Sequence, residues 1–336
     1  MGNQSLKQQL IRAKYSLKRK KSDWEERKKL HIYQRLIYIS RIRDRQKKKE
    51  IDIVAPSNFS FVSNTEEVLW FFNLIKIQLE NGYPVKIDIS KITNLTSDVI
   101  VLLIAIIKDK RSMKVGISGN APENPELKKL FIESGLYNFV NSKGKKRVAT
   151  INKLWRHSTN NQVRGEIAGE AISVCKKVFL DRGVVYDADD IYNLLVEAMS
   201  NTINHANKKK NINWWLYYYI DEQEKVIRYS FVDLGVGIFK SATFQSYVAK
   251  FNWILPGNNY LVKPFLEGKI ISSRETDKQI SGKGVKQILD CANKSEFIGF
   301  TIITNDQIIN VKDQNSQSLN SNFDGTFIHF EISYST

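Results

Sequence analysis

Four short stretches of the 336-residue chain carry side chains that could act together on a ligand. The first is Glu197-Ala198-Met199-Ser200-Asn201-Thr202-Ile203-Asn204-His205, with a carboxylate, a carboxamide and an imidazole four residues apart. On a helix this spacing lines all three along one face, about one turn above one another. Taken alone, such a row is more often an ordinary solvated helix face than a built site. The second stretch, Asp233-Leu234-Gly235-Val236-Gly237, places two glycines directly after an apolar run, which suits a loop whose backbone approaches a ligand. The third, Ser281-Gly282-Lys283-Gly284-Val285, opens an apolar-periodic segment. Free amides at a helix N-terminus beside a lysine form a phosphate cradle. The fourth is Gly325-Thr326, just before an apolar run that closes the chain.

Elements must position these groups. Ile191, Leu194, Leu195, Ala198, Met199, Thr202 and Ile203 give the first stretch an apolar face, with Asp187, Asp189 and Asp190 as candidate caps. A preceding helix is expected over 163–180, ended by Arg182-Gly183. Residues 213–220 and 226–233 read as neighbouring strands joined at Asp221-Glu222-Gln223, 285–292 as a helix, and 327–332 as a closing strand.

In this order the four stretches resemble the GHKL (Bergerat) nucleotide-binding fold of gyrase-type ATPases, heat-shock chaperones, mismatch-repair ATPases, histidine kinases and anti-sigma-factor kinases. Glu197-x-x-x-Asn201 resembles the N box, Asp233-x-Gly235-x-Gly237 the first glycine box, Gly282-x-Gly284 the second, and Gly325-Thr326 the final Gly-Thr. The resemblance covers about residues 150–336. It implies ATP with Mg²⁺ as ligands. Asn201 would ligate the metal, Glu197 would orient or deprotonate the attacking water or hydroxyl, and Asp233 would accept from the adenine amino group. Gly235 and Gly237 would let the backbone pass the nucleotide, Gly282, Lys283 and Gly284 would hold the β- and γ-phosphates, and Thr326 would support Asp233. For Asn204 and His205, helix packing and nucleotide contact stay equally open. Family members often carry a third glycine and a leucine after the second pair, where this chain has Lys286 and Gln287. Residues 239–280 would form the ATP lid, from which Lys263, Arg274 or Lys278 could reach the γ-phosphate.

Upstream, helices expected over 68–79, 98–109 and 124–134 alternate with strands over 85–90 and 113–117. Residues 51–140 resemble the STAS domain of anti-sigma-factor antagonists, through Ile87-Asp88-Ile89-Ser90, the loop Thr93-Asn94-Leu95-Thr96-Ser97-Asp98, and Leu127 to Gly135-Leu136. The family's Asp-Ser-Ser-Gly is Thr96-Ser97-Asp98-Val99 here, with Ser97 at the phosphorylated place. The simplest expectation for Thr96, Ser97 or Asp98 is an N-cap. The resulting division is a basic helical arm (1–50), a STAS-like domain (51–140), a linker (141–150) and a GHKL-type α/β sandwich (151–336).

Charge is uneven. Seventeen Lys or Arg against five Asp or Glu place +12 of the net +16 in the first fifty residues. Such an arm is either a solvated or oligomerising helical hairpin, compatible with a homodimer, or a salt-sensitive contact to nucleic acid. No apolar run reaches membrane-spanning length, and no secretory leader is evident, so a cytoplasmic protein is expected. Cys175 and Cys291 are too few for a zinc site or a disulfide framework and read as buried thiols. The chain has neither a Gly-x4-Gly-Lys-Ser/Thr loop nor the Rossmann fingerprint. The expected activity is Mg²⁺-dependent ATP binding and hydrolysis that switches a partner, nucleic-acid contact or self-assembly. The alternatives are a serine/threonine kinase of the anti-sigma type acting on a STAS-like partner and a non-hydrolysing ATP-binding regulator.

Overall fold

The structure is a computed structural model that describes residues 48–109, 115–140, 153–158, 163–205, 213–240, 257–268 and 284–335, with backbone alone at 153–158, 204, 205, 213, 284 and 285. Nearly all of the basic arm and the linker lie outside the described residues. Where the chain enters, Lys48 donates to Asn81 O at 2.6 Å and lies over the Tyr83 ring.

The first half builds β1 (Ile51–Val54), β2 (Asn58–Phe59), α1 (Thr65–Glu80), β3 (Val85–Asp88), β4 (Asn94–Leu95), α2 (Ser97–Ile107), β5 (Ile117–Gly119) and α3 (Pro125–Glu133). Strands β1, β3 and β5 form a parallel sheet in that order, and β2 pairs with β4. The local chemistry of α3 explains its start: Asn124 Oδ1 accepts from Glu126 N and Leu127 N, and Pro125 occupies a first-turn position whose missing N–H costs nothing. Two expectations shift. The strand expected over 113–117 is found at Ile117–Gly119, where it pairs with β3; residues 110–114 lie outside the described residues.

The cap expected at Thr96, Ser97 or Asp98 falls on Thr96, without the side-chain bond a cap ordinarily makes. Asp98 instead accepts from Val62 N at 2.7 Å and Ser60 Oγ at 3.2 Å with one oxygen. The first-turn carboxylate thus fastens a backbone amide from 36 residues upstream.

The second half builds β6 (Lys153–Ser158), α4 (Gly165–Leu180), α5 (Asp189–His205), β7 (Asn213–Asp221), β8 (Val226–Asp233), α6 (Asn259–Leu266), α7 (Gly284–Ala292), β9 (Phe297–Asn310) and β10 (Asn315–Ser333). The five strands form an antiparallel sheet in the order β6-β7-β8-β10-β9. The α/β class expected from the alternation of elements therefore holds, with a three-stranded and a two-stranded parallel sheet and one antiparallel sheet. Helix α6 breaks into the stretch expected to be lid. Leu261, Val262 and Phe265 bury themselves in the core, and Asn258 bonds Asp306 through its backbone and its amide. Residues 241–256 and 269–280, including Arg274 and Lys278, lie outside the described residues.

Strand alternation sorts the five-stranded sheet into two covered faces. Trp214, Leu216, Tyr218, Ile227, Tyr229, Phe231 and Phe330 join the apolar sides of α4, α5, α6 and α7 in one core. Their neighbours Trp215, Tyr217, Val232, Ile303 and Phe327 join α1 and α2 and the parallel sheet in the other. Helix α2 is buried without interruption from Ser97 to Ala105 and packs against β7 and β8, so it is apolar around its whole circumference. Residues of the 51–140 and 151–336 stretches thus share one continuous core. Among the described residues, no helix is long and apolar enough to cross a membrane.

Candidate functional site

Strand β8 ends at Asp233, whose side chain follows Tyr229 and Phe231 onto the helix-covered face. It is 7% exposed. Oδ1 accepts from Gly235 N at 2.8 Å, closing the turn that leaves the strand, and the Thr202 hydroxyl lies 3.3 Å from Oδ2. Thr326, paired with Asp233 across β10, adds side-chain and backbone hydrogen bonds. Burial nevertheless dominates and pushes the carboxyl up from 3.8 to about 6, against the pull of these donors.

The turn after Asp233 is held from β9. Asn305 accepts from Phe239 N at 2.9 Å and donates to Val236 O at 2.9 Å, while Thr304 Oγ1 accepts from Ile238 N and donates to Gly325 O. Two glycines are obligatory for this closeness. Gly237 has φ +81°, and a Cβ there would lie 2.6 Å from the Asn305 amide. Gly325 has φ +148°, and a Cβ would meet Asp233 O at 2.1 Å. Thr202, Thr304 and Asn305 were not among the residues singled out from sequence. The signal available for the last two was the polar run Thr304-Asn305-Asp306 inside an otherwise apolar strand.

Helix α5 brings the expected polar row to this turn. Ile191, Leu194, Leu195, Ala198 and Met199 are buried in the helix-side core, as the apolar periodicity required. Glu197 and Asn201 lie half-buried along its edge. Because Thr202 follows Asn201 and reaches Asp233, that edge lies beside the strand end. The backbone places Asn204 and His205 in the last turn of α5; their side chains lie outside the described residues.

Helix α7 packs along α5, with Cys291 Sγ 3.7 Å from Asp190 O and Lys294 paired with the Asp190 carboxylate. This pins the end of α7 to the start of α5, so the two run antiparallel. At a rise of about 1.5 Å per residue, Gly284 at the start of α7 then lies level with the Glu197–Asn201 part of α5. Gly282 and Lys283 fall outside the described residues.

The structure therefore brings together Asp233, Gly235, Gly237, Gly325 and Thr326 at one end of the sheet, with the α5 edge that carries Glu197 and Asn201 beside them through Thr202. Among the described residues no group of three or more His, Cys, Asp or Glu side chains could hold a metal by itself. A carboxamide oxygen on a half-buried helix edge instead suits an ion that takes most of its ligands from phosphate and water. Both cysteines are buried free thiols, pushed up by burial to about 12 for Cys175 and about 11 for Cys291, so neither is a nucleophile at neutral pH.

No protein-family model matches the chain, and no curated protein matches it either.

Proposed function

We propose that the chain binds ATP with Mg²⁺ in a GHKL-type pocket between α5 and the turn after β8, and hydrolyses it. The observation that carries this reading is Asp233: a buried carboxylate at a strand end, backed by two threonines and a glycine amide, beside a helix edge that presents Glu197 and Asn201. Its remaining lone pairs suit an exocyclic amino donor such as that of adenine, and hydroxyls rather than cations hold it in place. Gly237 and Gly325 keep the surrounding backbone free of side chains that would fill the space. The antiparallel sheet with helices on one face, and the parallel-sheet unit against its other face, are also what a GHKL domain joined to a STAS-like domain would have.

Each residue then has a role. Asp233 accepts from the base, with Thr326 and Thr202 fixing its orientation. Gly282, Lys283 and Gly284 contact the β- and γ-phosphates as the start of α7 turns its free amides toward them. Asn201 would hold Mg²⁺, which when bound neutralises phosphate charge. Glu197 orients a water and takes its proton as the water oxygen bonds to the γ-phosphorus and the bond to ADP breaks. Residues 1–50 would add a salt-sensitive contact to nucleic acid, switched by nucleotide state.

The test uses γ-labelled ATP and Mg²⁺, following free phosphate and label on protein together. Free phosphate is expected, with turnover lost in Glu197→Ala and ATP binding kept. Label transferred to this chain or to an added STAS-like protein would replace hydrolysis by kinase activity. Tight binding without turnover would make the chain a nucleotide-gated regulator. Failure to bind ATP would overturn the reading.

A further inference from the structure

Helix α1 packs one side against the parallel sheet and turns Lys76 toward Asp324 of β10. Its remaining side leaves apolar surface uncovered. Trp70 is 61% exposed and Ile77 50%. They stand seven residues apart, and Leu74, half-buried between them, lies on the same helical face. Glu67, exposed one turn before Trp70, extends the stripe toward the start of α1. A lone exposed apolar side chain needs no explanation, but three along two turns, led by a tryptophan, mark an interaction surface.

The point where the chain enters the fold says what covers this surface. The stripe continues to Asn81, one turn beyond Ile77. There Lys48 donates to Asn81 O at 2.6 Å and lies 4.3 Å from the centre of the Tyr83 ring. Residues 1–47, which lie outside the described residues, are therefore tethered at the foot of the stripe. From Asn81 back to Trp70 is about 16 Å of helix, a length that about eleven residues of a second helix alongside would span.

Composition points the same way. Upstream of Lys48, Ile32, Leu36, Ile39 and Ile42 recur at helical spacing and share one face, with Arg35 and Arg43 at its margins. The first fifty residues carry +12. On the body, Glu67 and Glu80 are exposed at the two ends of the stripe, and among the described residues no cation pairs with either. An apolar seam edged with arginines thus matches an apolar stripe edged with carboxylates.

We propose that the Trp70–Leu74–Ile77 stripe of α1 is the docking site of the chain's own basic arm, with the Ile32–Ile42 seam laid along it and Arg35 beside Glu67. The inference stands whether or not the Asp233 pocket binds ATP.

Hydrogen–deuterium exchange on the full chain in nucleotide-free buffer tests it. Peptides covering residues 30–45 should exchange slowly in the parent, and at least tenfold faster when Trp70→Lys and Ile77→Lys are combined. Both positions are exposed, and unchanged exchange in β7 and β8 would show that the body of the variant is still folded. Glu67→Lys alone should speed the arm a few-fold. A bismaleimide should link Ile77→Cys to Ile42→Cys within one chain, since both native thiols are buried, whereas Val185→Cys paired with Ile42→Cys should give no link. Fast exchange of residues 30–45 in the parent, or equal rates in parent and variant, would overturn the proposal. So would protection or cross-linking that is lost on dilution, which would place a second copy on the stripe.

Discussion

Two buried carboxylates, one on each face of the five-stranded sheet, have opposite surroundings. Asp233 has donors on both oxygens, and its nearest partners lie on its own turn, on α5 and on the adjacent strand. Asp98 holds the β2–α1 connection with one oxygen and has no partner for the other. On the proposed function the first serves a ligand; the second fastens two segments of backbone to each other. Burial depth alone therefore says little about function. What differs is whether removing the charge takes a needed bond from the fold.

Substitution should separate the two. The largest effect is expected from Asp233→Asn on nucleotide: loss of the charged acceptor should weaken ATP by about 100-fold. The folded apo protein should survive, because an amide can still accept from Gly235 N and meet the two hydroxyls. Equilibrium binding with a fluorescent ATP analogue measures the first, and thermal melting the second.

Gly325→Ala comes next. A Cβ 2.1 Å from Asp233 O at φ +148° forces the strand apart, so a loss of at least ~2 kcal/mol in denaturant unfolding is expected. An unaltered midpoint would show that the Asp233 turn is not clamped from β10.

The pH dependence sharpens the contrast further. Because the Asp233 carboxyl is raised to about 6 from 3.8, the fold favours its protonated form. Its contribution is fully present below the ordinary value and is lost as pH rises through about 6, costing up to about 3 kcal/mol above that. Asp233→Asn should remove this fall, so variant and parent should differ at pH 7.5 and converge near pH 4. ATP affinity should move the other way and weaken below about pH 6, where the acceptor becomes protonated.

Asp98→Ala should behave unlike Asp233→Asn: it leaves Val62 N–H and Ser60 without their acceptor and should destabilise by about 1–3 kcal/mol, with nucleotide affinity unchanged. The smallest effect is expected from Lys76→Ala. Lys76 on α1 pairs with Asp324, beside Gly325, but both side chains are more than a third exposed. A change of about 0.5 kcal/mol or less would show that the apolar core joins the two sheets and that the ion pair adds little.

Much of the helix-side face was legible in the chain. The apolar spacing along α5, the alternation of β7 and β8, and the glycines after Asp233 are all short-range patterns, read within a single element. They located the polar row and the turn it faces. The bond from Val62 N to Asp98 was not legible, because a first-turn carboxylate reads locally as a cap candidate while its partner lies 36 residues upstream. Helix α6 was not read within the expected lid; it is short, contains Pro264, and buries Leu261, Val262 and Phe265 in the core.

By itself, then, the sequence determined most of the longer helices, the β7–β8 pair, the buried side of α5 and the identity of the residues near the end of β8, because propensity and periodicity act over a few residues. Tertiary structure alone decided that Thr202 reaches Asp233 beside the expected Thr326, that Asn305 supports the loop beyond it, and that Trp215, Tyr217 and Val232 pack against α2. Those outcomes depend on partners tens to hundreds of residues apart, whose meeting is set by the packing of both sheet faces at once. A cleft beside Asp98 is one consequence: packing brought carboxylates from both halves of the chain to one place, with no sequence motif to announce it.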